Sequence, residues 1–208
     1  MARSLPPSVL AITEGDQDAV RIHLLTATLR VIQEKGLAAA STRAIAQEAG
    51  VSGGTLYNYF GSHVLLLAKS IVHYARTVSV PVADFPSRAG TETVVANLQY
   101  FTRQAAAVLD QLIPIFAAAF SDGQLLEVLR HELAAAAPLN DPAGVVERYL
   151  RSERELGRVD PAADCGTAAS IVVSICHADA FRQYLHGTPR AQNAHDQAIA
   201  FIARSLSV

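Results

Sequence analysis

Over most of Val20 to Leu206, apolar residues return every three or four positions, and no long stretch alternates with the period of two that a half-buried strand requires. Such stripes are buried only by packing helix against helix, so the chain is expected to be all-α. The first helix is expected from about Asp16, with Val20, Leu24, Ala27 and Val31 on one face and Gly36 as a left-handed stop. Shorter segments follow at Thr42 to Ala49 and Ser52 to Phe60, and Ser62 is placed to cap a fourth helix carrying Val64, Leu67, Ala68, Ile71 and Ala75. The pattern lapses between Val80 and Gly90, where Pro81 and Pro86 intervene. A long helix then carries Val94, Leu98, Phe101, Ala105, Val108 and Leu112, which Pro114 kinks or ends. Leu125, Leu129 and Leu133 mark the next.

Asp141-Pro142, Asp160-Pro161 and Thr188-Pro189 each set a capping side chain before a proline at the first helical position. With stops at Gly157 and Gly187, they delimit three last helices: Pro142 to Leu156, Pro161 to about His186, and Pro189 to Leu206. The total is about nine helices, with no internal repeat.

Half of the 208 residues are hydrophobic and 17% are charged, enough for a sizeable core. The opening residues lack the apolar run of a secretion signal, and no stretch is long enough to span a membrane, so a cytoplasmic protein is expected. Cys165 and Cys176 fall eleven apart in one expected helix, roughly 16 Å, too far for a disulfide. They read as small buried residues. The net charge of −2 carries no global mark of a nucleic-acid binder. Up to Ser62 the cations Arg3, Arg21, Arg30, Lys35 and Arg43 are balanced by Glu14, Asp16, Asp18, Glu34 and Glu48.

Function is concentrated in STRAIAQEAGVSGGTLYNYF, Ser41 to Phe60. Two short helices are joined by a tight turn at Gly50, with Val51 plugging the space between them, which is helix-turn-helix grammar. Ile45 and Ala49 point inward from the first helix, Leu56 and Phe60 from the second, leaving Thr55, Asn58 and Tyr59 outward. Hydroxyls on Thr42, Thr55 and Tyr57 suit phosphate oxygens. Arg43 can fork onto guanine and Asn58 can pair with adenine. Helix starts near Thr42, Ser52 and Ser62 offer backbone N–H groups to phosphates without formal charge.

The segment IAQEAGVSGGTLYNYFGSHVLLL, with Arg21, Leu24, Leu25, Ala27, Val31, Ile32 and Gly36 before it, resembles the tetracycline-repressor (TetR) family of transcriptional regulators. The resemblance covers about the first third of the chain. It implies that Thr42 and Arg43 open the supporting helix. It further implies that Ser52, Gly53, Gly54, Thr55, Asn58 and Tyr59 belong to the recognition helix and that Tyr57 contacts phosphate. His63 stands where a lysine usually begins the next helix. Gly53 also replaces a residue that is often basic. Both departures should weaken the electrostatic part of binding.

The same resemblance implies a domain layout: a flexible arm over 1–15, a DNA-binding domain over 16–62, and an effector-binding and dimerisation domain over 63–208. For the effector, expected to be hydrophobic or amphipathic, the candidates are Tyr100, Phe101, Gln104, Phe116, Phe120, Leu126, Arg130, Tyr149 and His177. For a homodimer interface formed by the last two helices they are Ala168, Ile171, Val172, Ile175, Ile199, Ile202 and Leu206. The expected partners are a palindromic operator in double-stranded DNA, a small-molecule effector and a second copy of the chain. A ligand-binding helical dimer with weak or lost DNA binding is the alternative. No enzyme is expected, with no catalytic residues, no metal and no cofactor. The sequence holds no phosphate loop, nucleophile elbow or paired-histidine metal motif, and His177 and Asp179 near Cys176 do not converge on one side of a helix.

Overall fold

The computed structural model describes residues 17–136, 141–188, 191, 193 and 195–207. Among these are ten α-helices, two short 3-10 turns and no strand. The helices are α1 (Gln17–Lys35), α2 (Thr42–Ala49), α3 (Gly53–Phe60), α4 (His63–Val78), α5 (Val80–Ala83), α6 (Val94–Ala119), α7 (Gly123–Ala134), α8 (Pro142–Glu155), α9 (Cys165–His186) and α10 (Asp196–Ser205). The arm expected over 1–15, the Asp16 start and Pro189 lie outside the described residues.

The all-α expectation holds, and four local readings are revised. The stretch from Val80 is not a lapse: α5 is followed by a 3-10 turn, Phe85–Arg88, whose Pro81 and Pro86 sit at early positions where a missing N–H costs nothing. Pro114 does not end its helix, since α6 runs through it to Ala119. The cap of α9 is Asp164, which accepts the N–H of Thr167 at 3.0 Å, whereas Asp160 accepts the N–H of Ala162 in the turn before it. Finally, α10 begins at Asp196 after His195, and the described residues 191, 193 and 195 are not helical. Asp-Pro and Thr-Pro pairs favour turns as readily as helix starts, which is why two of the three misled.

The described residues fall into two compact units, one within Met1–Ala75 and Ile115–Ala136, the other within Arg76–Pro114 and Ala137–Val208. In the first, α1 buries Val20, Leu24, Ala27, Thr28, Leu29, Val31 and Ile32 and packs against α2. Asp122 caps α7 through the N–H groups of Gln124 and Leu125, and Leu125 and Leu129 form its buried stripe.

The second unit is organised around α8, which packs on α9, α5 and the Phe85–Arg88 turn. Phe85 meets Phe101 of α6 and Tyr149 of α8 with ring centroids 4.9 and 4.4 Å apart. One turn beyond Tyr149 lies Glu153, fully buried yet ionisable. Its Oε1 accepts the N–H of Gly90 at 3.2 Å and its Oε2 pairs with Nε of Arg158 at 3.1 Å, while Arg158 also donates to the Glu92 carbonyl. Arg88 stacks its guanidinium 4.2 Å from the Tyr100 ring and donates to the buried Asn97. This network ties the 85–93 segment to α8 and α6. The Tyr149 hydroxyl and Glu153 Oε2 are both buried without a partner at hydrogen-bonding geometry, although Oε2 is ion-paired with Arg158. Burial pushes the Tyr149 phenol above the ordinary tyrosine range, and the neighbouring Glu153 reinforces the shift.

Glu153→Ala should therefore destabilise the protein by about 1–3 kcal/mol, because it removes the acceptor of the Gly90 N–H and the partner of the partly exposed Arg158. Tyr149→Phe should change stability at pH 7 by less than about 1 kcal/mol, since no well-formed hydrogen bond is lost. A phenol held protonated in the fold contributes stability below the unfolded tyrosine value and loses it as pH rises past about 10. Urea titrations of wild type and Tyr149→Phe should thus diverge in alkali, with the variant less sensitive. A loss above about 2 kcal/mol for Tyr149→Phe at pH 7 would show that the hydroxyl is bonded after all.

Candidate functional site

Between the end of α1 and the start of α4 every break is sealed locally. Gly36 closes α1 with φ 82° and ψ 161°, an extended glycine-only conformation rather than the expected left-handed one. Ser41 caps α2 by accepting the N–H of Ala44. Ser52 caps α3 by accepting the N–H of Thr55, and its hydroxyl also lies 3.0 Å from that of Thr55. Ser62 caps α4 through the N–H of Leu65, as expected. Between α2 and α3, Gly50 takes φ 69° and ψ 27°, a left-handed turn that other residues adopt at a cost.

Burial then sorts the side chains. Ile45, Ala49, Leu56 and Phe60 are buried as expected, and Ala46 joins them. On the other side Arg43, Tyr57 and Asn58 are exposed, Tyr57 to 52%, while Thr42, Thr55 and Tyr59 are half-buried. The Thr42 methyl would lie 3.7 Å from a Cβ on Gly53, so the first turns of α2 and α3 adjoin. The DNA-contact candidates Thr42, Arg43, Ser52, Gly53, Gly54, Thr55, Tyr57, Asn58 and Tyr59 are therefore gathered on the two short helices and the cap between them.

His63 departs from its expected use. Its Nε2–H donates to the Ala40 carbonyl at 2.6 Å, so the ring is engaged within the head. A second histidine, not singled out from the sequence, does the same from α1: His23 donates Nε2–H to the Ala49 carbonyl at 3.0 Å. Arg30 of α1 pairs with Glu48 of α2 at 3.0 Å. A lone histidine on a helix face gives no sequence signal of such a bond, because its acceptor is backbone.

The other candidates are less gathered. Phe101 and Tyr149 meet around Phe85, and Tyr100 lies under Arg88, all in the second unit. Gln104 is half-buried on α6, and His177 is exposed on α9, its Nδ1–H donated to the Val173 carbonyl. Phe116, Phe120, Leu126 and Arg130 belong to the first unit, with Phe120 exposed to 61%. Of the interface candidates, Ala168, Val172, Ile199, Ile202 and Leu206 are buried against their own chain. Ile171 is 45% exposed and Ile175 half-buried. Phe181, Tyr184, Leu185 and Phe201 were passed over, yet all four are exposed. α9 carries apolar residues on both an inward and an outward stripe, so periodicity alone does not separate them. Both cysteines are buried.

Residues 24–68 match the family model for bacterial regulatory proteins, tetR family. This match places a tetR-family regulatory domain at residues 24–68. It is 32% identical over 109 residues to the transcriptional repressor KstR of Rhodococcus jostii, covering 49% of this chain and 51% of that one. It is 38% identical over 73 residues to the transcriptional regulator PksA of Bacillus subtilis, covering 35% and 36%. The chain thus spans about half the length of the first relative and about a third of the second. A solved structure assigned to the TetR family, from Mesorhizobium loti, superposes with a TM-score of 0.76 at 16% identity, covering 91% of this chain and 97% of that one. The tetR fold therefore extends past the matched head, and the family is one of regulators rather than enzymes.

The glycine pair of the tetR head has no internal reason to be glycine. A Cβ would lie 3.7 Å from the nearest atom at Gly53 and 3.6 Å at Gly54, ordinary contacts, and neither residue has positive φ. Gly53→Ala and Gly54→Ala should each stabilise the protein, by up to about 1 kcal/mol in chemical denaturation. A destabilisation of similar size would reveal a packing constraint.

Proposed function

We propose that the chain is a cytoplasmic, homodimeric transcriptional regulator whose α2 and α3 bind a palindromic DNA operator. A small hydrophobic or amphipathic effector in the second domain releases it. The domain division is that of the arm (1–15), the head (16–62) and the regulatory part (63–208). The observation that carries the reading is the outward display of Arg43, Tyr57 and Asn58 on two short helices whose opposite faces are buried. Those side chains supply a guanine fork, a phosphate donor and an adenine pair. The tetR-family match over residues 24–68 supports it.

Dimerisation is supported by the outer face of α9 and α10, where Ile171, Phe181, Leu185 and Phe201 are exposed, the last to 68%. Apolar side chains of that size lining one face favour burial against a second copy. Two heads are also what a palindrome requires, with half-sites about 34–36 Å apart or a multiple of that. The buried aromatic cluster of Phe85, Phe101 and Tyr149 supports an apolar effector environment in the second domain. By linkage, an effector that weakens operator binding must bind less well to the operator-bound form. Among the described residues no helix is long and apolar enough to cross a membrane.

The balanced charge of the head favours one other reading, a ligand-binding dimer with weak or lost DNA affinity. Selection from a random duplex pool at low and physiological salt separates the two. Enrichment of a palindrome is expected, and no enrichment at either salt would favour the alternative. On the recovered site, Arg43→Ala and Tyr57→Ala should each lower affinity by roughly ten- to a hundredfold without lowering stability. The dependence of log affinity on log salt should be shallow, and a slope requiring about eight or more neutralised phosphates per dimer would contradict this electrostatic account.

A further inference from the structure

Helix α2 is held at both ends by imidazoles, and each ring answers a backbone acceptor that its own segment leaves open. Ala40 is buried and precedes the cap Ser41. Its N–H is used on Leu37, and its carbonyl takes the Nε2–H of His63 at 2.6 Å. Ala49 lies in the last turn of α2, where carbonyls have no intrahelical donor, and its oxygen takes the Nε2–H of His23 at 3.0 Å. A carbonyl can only accept, so both rings must carry their proton on Nε2. The two braces differ in origin. His23 belongs to α1, which packs along α2, and Arg30–Glu48 adds a second tie between that pair. His63 is the first residue of α4, a helix divided between the two units, with Ala75 the last of its residues in one and Arg76 the first in the other.

We infer that His63 is a positioning residue: it fastens the first turn of α4 to the backbone entering α2, so that displacement of α4 is delivered to Thr42 and Arg43 through one imidazole. The inference rests on the operator-binding reading for its consequence but not for its geometry. It assigns His63 a role distinct from direct phosphate contact. With its Nε2–H committed to the Ala40 carbonyl, the ring does not offer that donor to a phosphate. Movement of α4 by as little as about 1 Å stretches this bond beyond good geometry unless Ala40, and with it the cap of α2, follows.

Three variants test this on the operator recovered by selection. Gln can offer a side-chain amide N–H in place of Nε2–H, Leu removes the donor, and Lys restores the cation that this position usually carries in similar proteins. His63→Leu should weaken operator binding about tenfold per dimer with the salt slope unchanged. His63→Gln should stay within about twofold of wild type. In hydrogen exchange, the amides of 44–46 at the start of α2 should open faster in His63→Leu and not in His63→Gln. A salt slope that falls by about one for each head on removing the ring, or that His63→Lys alone restores together with full affinity, would overturn the inference in favour of phosphate contact. Should His63→Leu fail to fold, long-range proton–nitrogen spectra of wild type decide the geometry. Nε2-protonated His63 in the head is required, and the Nδ1-protonated form would overturn it. If wild type binds no duplex, the regulator reading fails by itself, while the tautomer and exchange results still decide whether α4 is fastened to α2.

Discussion

Two eight-residue helices cannot persist in water by themselves, and the head is built around that constraint. Helices shorter than about 12–15 residues gain too few hydrogen bonds to offset nucleation, so tertiary contacts must hold them. Three serines, Ser41, Ser52 and Ser62, cap three successive helix starts. Ile45, Ala46, Ala49, Leu56 and Phe60 supply the buried side. The imidazoles of His23 and His63 take the Ala49 and Ala40 carbonyls, one near each end of α2. With one side buried and both ends fixed, the opposite side can carry polar residues chosen for contact rather than for folding.

A comparable economy organises the second unit, with the opposite chemistry. There one fully buried carboxylate, Glu153, gathers the N–H of Gly90 and the guanidinium of Arg158, and thereby fixes a segment that has little regular structure. An ionised group taken out of water is tolerated only with such partners, so the segment and the charge hold each other in place. The aromatic cluster one turn away contributes apolar area without directional demands. An effector that disturbed Phe85 or Tyr149 would act next to the Glu153 network rather than through a uniformly apolar core.

The legible parts of the chain were those in which sequence and structure share a local cause. Caps Ser52, Ser62 and Asp141 and the inward set Ile45, Ala49, Leu56 and Phe60 follow from spacing within one or two turns. Asp160-Pro161 failed because a capping carboxylate serves a turn as well as a helix, and Asp164 four residues later won the helix start. Phe85 was hidden because flanking prolines break the period by which core residues are found. On α9 the period itself misled, since Val172 faces its own core while Ile171 beside it faces outward. His63 was placed correctly at the head of α4, and its chemistry was not legible, because its acceptor is a carbonyl brought near only by the fold.

The charge arrangement of the head follows from the same packing. Arg30, one of its few cations, is engaged by Glu48, and Arg21 lies 4.0 Å from Asp18 on its own helix. His63 is engaged by Ala40. Within α2 and α3, the proposed operator-binding helices, the one cation is the exposed guanidinium of Arg43, set among hydroxyls, amides and helix starts. Such donors are directional and short-ranged, whereas unpaired cations attract any phosphate backbone over about a Debye length. A head of this kind gains little from random duplex and most from a site whose bases and phosphates meet its donors in register. Balanced charge, which at first weighs against a nucleic-acid partner, is thus compatible with one bound by geometry more than by field.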